Sequence, residues 1–104
     1  MIVEVVGGRE EHPEVRVVDV DNLTALHLAL GEVTDEEAGE ILEQAGLGRI
    51  EDADTAVLDA AALRATAEPQ ATSADWAARW DALVGRLSDD GATMRVRVES
   101  AAGA

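Results

Sequence analysis

Apolar and polar residues change rhythm several times along this chain of 104 residues. Ile2 to Val6 is a short β-branched run closed by Gly7-Gly8, and Val15 to Val20 is a second. The polar stretch Arg9 to Glu14, containing Pro13, lies between them. Two such runs around a Gly-bearing connection predict a β-hairpin. The second run puts Arg16, Val18 and Val20 on one face and Val15, Val17 and Asp19 on the other, which leaves its register open. From Leu23 the period reads as helical. Leu23, Leu26, His27 and Leu30 fall on one face, predicting a first helix capped by Asp21 or Asn22 and ended by Gly31. Thr34-Asp35-Glu36-Glu37 then forms a capping box, with three acids in the first turn to suit the positive end of the helix dipole. Ala38, Ile41, Leu42 and Ala45 make this second helix amphipathic. Gly46 is its left-handed terminator, and Leu47 folds back onto it.

Residues 49–54 read as an acidic loop. Thr55 to Leu58 predicts a short strand, and Asp59 caps a helix through Ala67, although the Ala-rich stretch from Thr55 also fits one continuous helix. Glu68 to Thr72, with Pro69, reads as a linker. Ser73 is the predicted cap of a last helix carrying Trp76, Trp80, Leu83, Val84 and Leu87 on one face, stopped by Gly91. Thr93 to Glu99 alternates as a closing strand, with Met94, Val96 and Val98 inward and Arg95 and Arg97 outward, where Glu4, Arg16 or Glu99 are candidate cross-strand partners. The order β-β-α-α-β-α-α-β predicts an α+β sandwich of two layers: a mostly antiparallel sheet of about four strands with helices on one face. Residues 1–99 form a single domain in this reading, and 100–104 a frayed tail.

Charge narrows the function classes. Asp and Glu number 22 against 8 basic residues, for a net charge of −14. Residues 1–30 carry −4, residues 31–60 carry −9, and residues 61–104 carry −1. Such a balance disfavours nucleic acid and anionic membranes as partners, and suits either a basic partner or plain solubility. The 47% hydrophobic content supports a packed core, although Phe and Tyr are absent and Trp76 and Trp80 are the only aromatics. The pair reads as the largest pieces of that core, with a partner-binding anchor as the alternative. All eight bases are Arg. The codon bias of a GC-rich genome would explain this and the abundant Ala, with retention of each Arg for bidentate pairing with a carboxylate as the alternative. There is no Cys, no basic leader followed by an apolar run, and no apolar stretch long enough to span a bilayer, so a cytoplasmic protein is expected.

Candidate chemistry is sparse. His12 reads as an exposed loop residue and His27 as a boundary residue hydrogen-bonded to backbone. Neither belongs to a spaced zinc-ligand set. Asp52-Ala53-Asp54 opens like a calcium loop, but Val57 stands at the template's Gly position and Leu63 at its closing Glu position. Asp19-Val20-Asp21-Asn22 supplies carboxylates without further ligands. Ser73, Ser88 and Ser100 lie in no nucleophile motif, and Gly7-Gly8 lacks the rest of a phosphate loop. The sequence therefore predicts no catalytic residue, no cofactor and no metal.

The segments Leu58-Asp59-Ala60-Ala61-Ala62-Leu63-Arg64, Asp75-Trp76-Ala77-Ala78-Arg79-Trp80-Asp81 and Met94-Arg95-Val96-Arg97-Val98-Glu99 carry a resemblance. Over residues 55–99 the chain resembles small acidic proteins of unknown function from high-GC bacteria, which implies an α+β fold in a cytoplasmic setting and no activity. In size, charge and layout it is also similar to immunity proteins that neutralise secreted toxins. The expected function is a protein-binding module presenting Glu36, Glu40, Glu43, Glu51, Asp52 and Asp54 to a basic partner, as an immunity-like or nucleic-acid-mimicking inhibitor would. The rival readings are a homo-oligomer assembled through a sheet edge and a small carboxylate-based enzyme.

Overall fold

The computed structural model describes residues 1–7, 14–31 and 33–100. Its elements are β1 (Ile2–Val6), β2 (Glu14–Val18), β3 (His27–Gly31), α1 (Asp35–Gln44), β4 (Gly48–Ile50), β5 (Thr55–Asp59), α2 (Ala60–Ala67), α3 (Trp76–Leu87) and β6 (Thr93–Ser100), with a 3₁₀ turn at Glu68–Gln70. The fold is α+β, built on one six-stranded sheet of order β2-β1-β3-β6-β5-β4. β1 is antiparallel to β2 and parallel to β3. β3 is parallel to β6, and β5 is antiparallel to both β6 and β4. The sheet is thus mixed and wider than the expected four mostly antiparallel strands. The predicted connection of β1 to β2, with His12, falls on residues 8–13 and lies outside the described residues, as do residues 101–104. No helix among the described residues is long and apolar enough to cross a membrane.

The largest correction concerns the expected first helix. Residues 27–31 are instead a central strand, paired in parallel with β1 on one side and β6 on the other. Leu26, Leu28 and Leu30 are all buried, while His27 and Ala29 are half-buried on the opposite face. Leu26, Leu28 and Leu30 alternate along the inward face as a strand requires, yet Leu23, Leu26 and Leu30 also match the helical period. Asp21 and Asn22 consequently cap nothing. The Asn22 side-chain oxygen accepts from the Thr24 hydroxyl at 2.6 Å, which folds the crossing segment from β2 to β3 into turns. The Met1 amine donates to the carbonyls of Asn22 and Ala25, and its side chain is buried. Burial lowers the pKa of that amine, with Asp19 opposing the shift.

Four smaller differences from the sequence reading concern β4, the end of β2, Ser100 and Ser73. β4 occupies part of the expected acidic loop. β2 ends at Val18, because Asp19 turns the chain with φ +54°. Ser100 belongs to β6 and pairs with Leu30. Ser73 does not cap α3 with its hydroxyl, which donates to Asp75 at 2.5 Å. The Asp21 carboxylate instead receives the Thr72 amide and hydroxyl and the Ser73 amide, at 2.8–3.1 Å, tying two distant loops together.

All three helices contribute to the core on the sheet's inward face. Val3, Val5, Leu28, Leu30, Leu58 and Met94 from the strands meet Leu42, Leu63, Trp80 and Leu83 in one buried cluster. Complete burial of each large side chain stabilises by about 1.5–3 kcal/mol. Trp76 and Trp80 are 3% and 2% exposed, stack at 5.4 Å, and belong to this core, so they offer no surface anchor. The Trp76 indole N–H donates to the Val20 carbonyl at 2.7 Å, which satisfies its polar atom. α1 touches β4 at one edge of the sheet and β1 and β2 at the other, so the sheet curls around its helices.

The outward face follows from the register. One row across it runs Val18, Ile2, His27, Arg97, Thr55. The next runs Arg16, Glu4, Ala29, Glu99. Arg95, Val57 and Arg49 form a third, towards the β4 edge.

Candidate functional site

α1 is built as its sequence suggests. The Thr34 side-chain oxygen accepts from the Glu37 amide at 3.1 Å, and Glu37 reaches back to the Thr34 amide at 3.2 Å. At the other end Gly46 adopts φ +72°. The Gly46 amide bonds to the Glu43 carbonyl and the Leu47 amide to the Leu42 carbonyl, both at 3.0 Å, a Schellman closure. Ala38 and Leu42 are buried, and this fixes which side of the helix meets water. Glu36, Glu40 and Glu43 are all exposed on that side. Residues three and four apart lie about 5–6 Å from one another at Cβ, so the three carboxylates form a stripe.

The six residues expected to meet a partner are divided between α1 and the β4–β5 connection. Glu36 and Asp52 share a depression of about 320 Å³, which Asp35 and Ile50 also line. Asp52 Oδ1 accepts from the Asp54 amide at 2.8 Å, holding the β4–β5 turn. Glu51 is drawn away by Arg95, 3.1 Å distant, and is the one member neutralised by the closing strand. Asp54 lines a different depression of about 400 Å³, together with Arg95 and Arg97. Its carbonyl accepts from the Val98 amide at 2.8 Å. Glu43 lies with Arg49 and Asp59 around a third depression, of about 250 Å³. Glu36, Glu40 and Glu43 have no cationic side chain within 4.0 Å among the described residues.

Other candidates have local roles. His27 stands on a strand, and its Nε2 lies 3.3 Å from Glu99, so its partner is a carboxylate and not the expected backbone group. The Asp59 carboxylate caps α2 through the Ala62 amide at 2.8 Å. Asp90, which stands just before the predicted helix stop at Gly91 and has no role of its own in the sequence reading, organises the turn into β6. Its Oδ1 accepts from the Ala92 and Thr93 amides at 2.9 and 3.0 Å and from the Ser88 hydroxyl at 3.1 Å. These bonds, the Thr93 amide foremost, hold its pKa down to about 2. The spacing Ser88-Asp89-Asp90-Gly91 is a turn signature that would have found it. No three His, Asp or Glu side chains among the described residues converge as metal ligands. Comparison of this chain with family models, with curated proteins and with solved structures gave no match.

Proposed function

We propose that this protein is a non-catalytic binding module that presents the acidic side of α1 to a basic partner protein. The observation that supports this reading is the helix itself. It holds no basic residue, and Glu36, Glu40 and Glu43 stand exposed, with no cation beside them among the described residues. Their spacing gives a cationic surface three regularly placed partners, and charge complementarity of this kind raises association rates and rejects like-charged competitors. Asp52 extends the stripe from β4–β5. Glu51 and Asp54, set beside Arg95 and Arg97, are secondary. On this reading the protein works in the cytoplasm as an inhibitor or immunity-like neutraliser, in keeping with the resemblance in size, charge and layout noted above.

The test is affinity purification from the producing organism at low and raised salt, with the wild-type chain and with Glu36→Gln/Glu40→Gln/Glu43→Gln. A basic protein retained by the wild type, lost as salt rises and lost by the triple variant is the expected result. Its association rate with the triple variant should fall by about tenfold or more. Retention of no partner, or of one indifferent to salt and to the three charges, would sink the reading.

A further inference from the structure

We draw no further inference here: the strongest candidate, the depression of about 400 Å³ on the outward face of the sheet where Asp54 and Thr55 meet Arg95 and Arg97, has its two arginines offset by the carboxylates of Asp54 and Glu51, and nothing in the structure shows what fills it.

Discussion

Gly48 lies where β4 comes closest to β5. Its φ is +154°, and a Cβ built there would stand 2.1 Å from the Val57 carbonyl oxygen and 2.9 Å from the Leu58 Cα. Both obstacles are backbone, held by the strand ladder, so neither can give way cheaply. Gly85 is the opposite case, an exposed helical position in α3 with nothing within 4 Å of a new Cβ. Gly48→Ala should destabilise by about 3 kcal/mol, through backbone strain and overlap together. Gly85→Ala should stabilise by about 0.5–1 kcal/mol, because the helix no longer bears the entropy cost of glycine. Urea unfolding of the two variants checks both signs at once. Equal effects would mean that the close approach of β4 to Val57 does not constrain the fold.

At the level of elements, what could be read in advance was what neighbours in sequence decide. The α1 capping box, the left-handed Gly46, the Asp59 cap of α2 and the alternation of Met94, Val96 and Val98 all depend on residues within a few positions of one another. β3 depends on strands about 25 and 70 residues away in the chain, and its leucines satisfy two periods equally, so the sheet decided it against local propensity. β4 escaped notice because three residues carry no period at all. The candidate site divides in the same way. The Glu36, Glu40 and Glu43 stripe was visible as helical spacing, whereas the capture of Glu51 by Arg95 requires knowing that β5 lies between β4 and β6. Because α1 carries the proposed binding stripe, its cap is worth testing by itself. Thr34→Ala removes the acceptor for the Glu37 amide, while the backbone amide at 34 can still donate to the Glu37 carboxylate, and should cost about 1 kcal/mol in urea unfolding. The stripe's carboxylates would keep their order, so partner binding through them should be almost unchanged at temperatures where the variant stays folded. A loss of binding equal to removing the three charges would tie recognition to the helix start instead.

For the whole molecule, charge sets the response to acid. The net charge of −14 at neutral pH shrinks as pH falls towards the isoelectric point near 4.2, which relieves self-repulsion between carboxylates such as those along α1. Against this stand carboxylates whose charged form the fold prefers. Asp90 is held down to about 2 by the turn into β6, and Asp21 is lowered by its bonds from Thr72 and Ser73. A carboxylate with a folded pKa below its unfolded value of 3.8 contributes fully above 3.8. The unfolded chain then takes up the proton first, and the contribution fades as pH drops towards 2. Stability should therefore rise modestly on going from pH 7 to the isoelectric region and fall steeply below 3.8. Asp90→Asn keeps the shape of the turn but cannot titrate. It should be less stable than the wild type at neutral pH, and the gap should close between pH 3.8 and about 2. Urea midpoints measured across that range, in dilute protein to avoid isoelectric association, give the comparison. A gap that stays constant through the window would show that the bonds made by Asp90 depend on the geometry of its oxygens and not on its charge.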